Sequence, residues 1–133
     1  MNYQKQLDDI LSDIQSAGTQ NSIKPTLLLH ACCAPCSSYV LEYLSGIFDI
    51  TVYYYNPNIY PPAEYKRRLN ELKSFLPRFT SAVQNHVQLV ESGYDQNDYF
   101  AAVKTDEQPE LQTEPERGER CRRCYLFRMK KAY

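Results

Sequence analysis

The residues best equipped for chemistry are five cysteines gathered into two short clusters, Cys32, Cys33 and Cys36, then Cys121 and Cys124. Cysteines three apart on a helix share a face, so Cys121 and Cys124 present two thiolates to one centre. Cys32 and Cys33 are adjacent, which would point them to opposite faces of a strand, but an irregular loop lets both turn inward. The doublet and the pair together offer four soft sulfur ligands, a set that selects zinc or an iron-sulfur cluster over hard cations. Arg120, Arg122 and Arg123 flank the second pair and favour its ionised form, as does a helix start near Glu119.

Two other chemistries compete for the same residues. Cys33-Ala34-Pro35-Cys36 between a buried strand and a helix has the layout of a thioredoxin-like thiol-disulfide motif, Cys33 attacking and Cys36 resolving. Cys121 and Cys124 are then a separate zinc or structural pair. A structural zinc module of four cysteines is the third reading, although closed zinc sites usually draw on two CxxC-like knuckles, which the doublet fits poorly. His30 and Glu119 are the candidate catalytic proton donors, and a single histidine at a strand end also reads as a satisfied structural group. His86 reads as the start of a strand.

Composition narrows the setting. An odd cysteine count in two clusters does not describe a secreted disulfide framework, and Met1 to Asp13 lacks the basic start and apolar run of a signal peptide. With 43% hydrophobic residues and 15 basic against 16 acidic side chains, the chain reads as a soluble globular protein without a transmembrane stretch, expected in the cytoplasm. Charge is segregated: seven acids between Asp95 and Glu116 precede a basic run from Arg117 to Lys131. A local basic surface therefore coexists with a net charge of -1.

The elements that must position these residues follow from periodicity. Leu7, Ile10, Leu11 and Ile14 predict an amphipathic helix stopping near Gly18, followed by a loop over 19–24. Thr26 to Leu29 read as a strand buried on both faces, ending at His30. Tyr39, Val40, Tyr43 and Leu44 predict a helix over 37–44, leaving 31–36 as a tight strand-to-helix connection. Asp49 to Tyr55 form a second strand closed by the turn formers Asn56, Pro57 and Asn58. After Pro61 and Pro62, a helix carries Tyr65, Leu69, Leu72 and Leu76 and stops at Pro77. A third strand over 87–91, a helix over 95–103, an acidic loop over 104–118 and a basic helix over 119–131 complete the chain.

This alternation predicts a single α/β domain over 1–133, a doubly wound parallel sheet sandwich. Residues 1–24 are its N-terminal helix and loop, and 25–133 its cysteine-bearing portion. Ligands in such folds lie beyond the carboxyl ends of the strands, where the 31–36 loop and Asn56 to Tyr60 are placed.

The runs Leu27-Leu28-Leu29-His30-Ala31-Cys32-Cys33-Ala34-Pro35-Cys36-Ser37 and Tyr55-Asn56-Pro57-Asn58-Ile59-Tyr60-Pro61 carry a resemblance, continued by Glu64-Tyr65, Arg68, Gly118-Glu119-Arg120-Cys121-Arg122-Arg123-Cys124 and Arg128. In order and spacing they resemble QueH-type epoxyqueuosine reductases across nearly the whole chain. The resemblance implies a fold related to adenine-nucleotide α-hydrolases, the cysteine-rich loop replacing a phosphate loop. It implies reduction of epoxyqueuosine to queuosine at the wobble position of tRNA, with a 4Fe-4S cluster on Cys32, Cys33, Cys121 and Cys124. Cys36 belongs to the shared motif with its role open, either behind the ligands or as a contact to an additional metal ion. The family's additional redox-active cysteine pair belongs to its C-terminal part, so the chain reads as truncated there and its independent turnover is expected to be reduced or absent.

Opening an epoxide to an alkene needs two electrons, two protons and help for the departing oxygen. Thiolate-held iron supplies electrons singly and, with an open position, a Lewis acid. No flavin or nicotinamide signature is present, and the sequence does not name the electron donor. Tyr53, Tyr54, Tyr55 and Tyr60 are placed to stack on an extruded base, and the basic helix to meet anticodon-loop phosphates. Strand tyrosines equally suit a core, and a charged helix a solvated face.

Overall fold

The computed structural model describes residues 1–21 and 23–133. Its centre is a parallel sheet of β1 (Thr26–His30), β2 (Asp49–Tyr54) and β3 (Gln88–Glu91), in the order β1-β2-β3. Leu28 pairs with Thr51 and His30 with Tyr53, while Thr51 pairs with Gln88 and Tyr53 with Val90. The α/β class and parallel sheet expected from the sequence are therefore present, with helices flanking the strands.

The crossover from β1 to β2 carries α2 (Ala34–Leu44), and that from β2 to β3 carries α3 (Pro62–Phe75), a 3-10 turn (Leu76–Arg78) and α4 (Thr80–Gln84). They cover one sheet face. Ile50, Val52 and Tyr54 of β2 alternate inward and are essentially inaccessible, packed in one cluster with Leu41, Tyr65, Leu69 and Leu72. Each such enclosed side chain stabilises the fold by roughly 1.5–3 kcal/mol. The Tyr54 hydroxyl reaches the Tyr65 carbonyl at 2.9 Å, which is how a phenol is tolerated there.

Several boundaries differ from expectation for local reasons. α1 (Tyr3–Asn21) continues past Gly18 into the predicted loop, of which Ser22 lies outside the described residues. Of its stripe, Leu11 is buried while Ile10 is exposed. The Tyr43 hydroxyl donates to Asp8 at 2.6 Å, tying α1 to α2. α2 begins at Ala34 rather than Ser37 because Pro35 falls in its first turn, where its fixed φ and missing N–H are harmless. Cys36 is consequently helical. α4 carries no sequence signal, since five residues are too short to show a period. His86 turns the chain into β3 with φ of 52°.

The remaining elements gather at the carboxyl end of the sheet. α5 (Gln96–Val103) ends on Lys104 in the left-handed region, and a 3-10 turn (Pro109–Thr113) interrupts the acidic loop. α6 (Glu119–Ala132) packs on α5 and the 3-10 turn, with none of its residues fully buried. Among the described residues no helix is long and apolar enough to cross a membrane.

Candidate cysteine site

The main chain after β1 sets the first cluster. The Ala31 N–H donates to the Tyr53 carbonyl at 3.0 Å, extending the ladder by one residue before the chain breaks away. Cys33 then precedes the first turn of α2, and the Ser37 hydroxyl donates to its carbonyl at 2.8 Å. The Sγ atoms of Cys32, Cys33 and Cys36 lie within 4.8 Å of one another, with Cys32 and Cys33 separated by 3.8 Å. Such a set of thiols suits a soft metal centre.

The three thiols are electrostatically unequal. Burial pushes Cys32 up, and its hydrogen bond to Cys33 adds to this. Burial also acts upward on Cys33, but the Cys36 thiol and backbone N–H, Cys32 and the Arg68 charge outweigh it and bring Cys33 below the ordinary thiol value. Its interaction with Cys33 drives the exposed Cys36 thiol up to about 11. Arg68 is itself held by Glu64, with Nε 2.7 Å from Oε1.

α6 brings the second cluster. Gly118 caps its start, and the Glu114 carboxylate accepts from the Arg120 N–H at 3.0 Å, closing one open backbone donor. Cys121, Cys124 and Arg128 lie along one helical stripe and line a cavity of about 370 Å³ with Asn58, Tyr99, Arg120 and Tyr125. Burial, then Cys124, pushes the Tyr99 hydroxyl up to about 12. Among the described residues, Asn58 Oδ1 and Arg128 Nε are buried without a partner, so two polar atoms of residues lining this cavity are unsatisfied by the protein.

A polar relay connects the clusters. Arg128 Nη2 donates to Asn56 Oδ1 at 2.7 Å, and Asn56 Nδ2 donates to the Ala31 carbonyl at 2.8 Å. His30 Nε2 lies 2.6 Å from the Tyr55 carbonyl. A carbonyl only accepts, so Nε2 carries the proton of neutral His30, and Arg128 at 3.4 Å is a neighbouring charge. Burial, together with that charge, lowers the His30 pKa. Aromatic contact adds to the link, because Phe127 of α6 tilts against Tyr55 with ring centres 6.1 Å apart.

The structure thus brings Cys36 to Cys32 and Cys33, while Cys121 and Cys124 lie outside that group of three and line the α6 cavity. Glu119 pairs with Arg122 and Arg123 at 2.7 and 2.8 Å, which hold its carboxyl at about 2. In that state it has no proton to give. Tyr54 is core, whereas Tyr60 is exposed and open to stacking. Asn58 belongs to the 56–60 turn expected beyond the strand ends, although no role is read for it from sequence, and no local pattern marks Tyr99.

Comparison with known proteins agrees over most of the chain. The family model "Epoxyqueuosine reductase QueH" matches residues 27–133. The curated Epoxyqueuosine reductase QueH of Streptococcus pyogenes serotype M1 is 40% identical over 124 residues, covering 93% of this chain and 47% of that protein. The protein of the same name from Staphylococcus epidermidis is 37% identical over 129 residues, covering 97% and 51%. That from Staphylococcus aureus is 36% identical over 122 residues, covering 92% and 50%. The chain spans about half the length of these relatives. No solved structure matches it significantly.

Proposed function

The chain belongs to the QueH epoxyqueuosine reductase family, and from that premise we propose that it forms the cysteine-bearing part of a cytoplasmic reductase converting epoxyqueuosine to queuosine in tRNA. The observation that supports this is the close group of three thiols after β1, Cys32, Cys33 and Cys36, with the helix that carries Cys121 and Cys124 tied to the same loop by Arg128, Asn56 and the Ala31 carbonyl. In this reading Cys32, Cys33, Cys121 and Cys124 hold a 4Fe-4S cluster and Cys36 is an additional metal contact. Bound there, the cluster would supply electrons singly, and four thiolates would occupy the outer position of all four of its irons.

The protein's own groups position the reaction. The cavity beside Cys121 and Cys124 offers Tyr99, Arg120, Arg128 and Asn58 to a polar substrate. Exposed Tyr60 and Tyr125 are suited to base stacking, and the basic residues of α6 to RNA phosphates. His30 and Glu119 stay the candidate proton donors, each engaged in the free protein, His30 Nε2 with the Tyr55 carbonyl and Glu119 with Arg122 and Arg123.

Anaerobic purification and reconstitution, followed by iron, sulfide and zinc analysis, tests this reading. The expected result is about four irons and four sulfides per chain. Zinc without sulfide, before and after reconstitution, rules it out.

One observation favours a second reading. Cys33 precedes the first turn of α2 and Cys36 lies in that turn with its Sγ within 4.8 Å, the layout of an attacking and a resolving thiol, and their interaction lowers the Cys33 pKa while raising that of Cys36. A thioredoxin-like protein would be metal-free and would show disulfide reductase activity that disappears in Cys33→Ser and survives Cys121→Ser.

A further inference from the structure

Glu64 and Arg68 supply no sulfur to the cysteine site, yet the fold brings them beside it. β1 and β2 are adjacent and parallel and end level, with His30 opposite Tyr53. The cysteine loop leads from β1 into α2, and residues 55–61 lead from β2 into α3, so both helices start at the carboxyl end of the sheet. They also pack on each other. Tyr65, Leu69 and Leu72 are the buried stripe of α3. Arg68 lies on the flank of that stripe with its side chain 35% exposed, whereas Arg67 is turned outward at 57%.

Glu64 holds both arginines, in different ways. Arg67 donates to its carboxylate through Nε at 2.8 Å and Nη2 at 2.6 Å, and reaches Glu71 with Nη1. Arg68 donates to it through Nε alone, at 2.7 Å. Among the described residues, neither Nη1 nor Nη2 of Arg68 has a protein acceptor, so the guanidinium is tethered on one edge only. Its charge acts on Cys32 and Cys33, and theirs acts on Arg68. The buried Tyr54 phenol is influenced by Arg68 and by Cys32, which sets all three in one neighbourhood.

Resting on the reading of the cysteine centre as an iron-sulfur cluster, we propose that Arg68, tethered by Glu64, is the fixed positive charge that sets its reduction potential. A cluster held by thiolates is anionic, and each added electron makes it more so; net charge nearby is one of the quantities that fix its potential. A guanidinium beside the centre stabilises the reduced form over the oxidised one and so raises the potential. It also cannot be deprotonated in a protein, so the effect is constant with pH. Glu64 is shared with Arg67, and the three groups together keep a net positive charge. Arg68 donates no hydrogen bond to a cysteine sulfur and is a positioning charge, acting through its field on the centre.

Redox titration of the reconstituted full chain, with dithionite as reductant and electron paramagnetic resonance as readout, tests this. Arg68→Gln is expected to disfavour the reduced form roughly tenfold, a fall in midpoint potential of about 59 mV for one electron. Arg68→Met gives the same measurement where the glutamine variant retains too little cluster. Arg68→Lys keeps the charge and should restore most of the wild-type potential. Arg67→Gln removes an identical charge from the same glutamate on the outward side and should leave the potential where it is. An unchanged potential in Arg68→Gln at full iron and sulfide content overturns the proposal and leaves the cluster reading standing. So does an equal fall in Arg67→Gln, which would make any surface charge equivalent, or a fall in Arg68→Lys as large as in Arg68→Gln, which would assign the effect to packing. Zinc without sulfide in the wild-type chain overturns both.

Discussion

Arg128 and Asn56, 72 residues apart, are joined by a 2.7 Å hydrogen bond that hooks the last helix onto the cysteine loop. Asn56 is fully buried and spends its other end on the Ala31 carbonyl, next to Cys32. Removing its side chain leaves both a guanidinium and a carbonyl without their partner. Asn56→Ala is therefore expected to cost about 2–4 kcal/mol, the sum of an unmet buried carbonyl and a lost charged hydrogen bond. Chemical denaturation measures this, and a loss below about 0.5 kcal/mol would show the relay to be incidental.

Metal loading should act most strongly on α6. That helix has no fully buried residue and is held mainly by polar links, Arg128 to Asn56, Arg123 to the Val103 carbonyl and Gln108, and Arg120 to the Gln112 carbonyl, together with the Phe127 contact. A centre shared by Cys121, Cys124 and the β1 loop would stabilise the docked state by mass action. Hydrogen exchange over Glu119–Ala132 is expected to slow at least about tenfold on reconstitution and to return on chelation. In Cys32→Ser the slowing should be lost. Identical exchange with and without metal would separate α6 from the centre.

The contrast between β2 and α6 shows what the sequence reveals. β2 was legible because alternation of Ile50, Val52 and Tyr54 is written in adjacent residues and decides burial directly. The cysteine loop was legible as a site because it follows a buried strand, although the proline that starts α2 early moved Cys36 into a helix. The Arg128-Asn56-Ala31 relay was not legible: hydrogen bonds over 72 and 25 residues leave no local pattern. Nor was the open sheet face, because Leu27, Leu28 and Leu29 read alike as buried while only strand order decides which of them is covered.

Two glutamates, each paired with two arginines, contribute to the acid limb of stability. Arg67, then Arg68, hold the Glu64 carboxyl at about 2, and Arg122, then Arg123, do the same for Glu119, from an ordinary value of 4.5. A carboxylate whose folded pKa lies below its unfolded value contributes stability that is complete above the unfolded pKa and lost as pH falls through the folded one. Stability from these pairs should therefore be flat above pH 4.5 and decline from there toward pH 2. Carboxyl carbon NMR should place both midpoints near 2, with Glu64 rising in Arg67→Met. A wild-type Glu64 midpoint at 4.5 would dissolve the pairing, and high salt should weaken it in any case because Arg67 and Arg122 are exposed.

Gly118 controls the start of α6 through space rather than through backbone freedom. Its φ of -76° is open to any residue, but a methyl group there would meet Glu114 Oε2 at 2.6 Å. That oxygen accepts the Arg120 N–H, so Gly118→Ala must push the capping carboxylate away. The expected cost is about 1 kcal/mol, typical of a lost helix cap. Because α6 carries Cys121 and Cys124 in its first two turns, the same change should lower iron retained per chain. Glu114→Ala removes the same cap without crowding, so both variants should lose similar stability, and the double variant little more than either alone. Additive losses on thermal melting would mean that the methyl group acts on the Pro115 carbonyl, 3.2 Å away, and not on the cap.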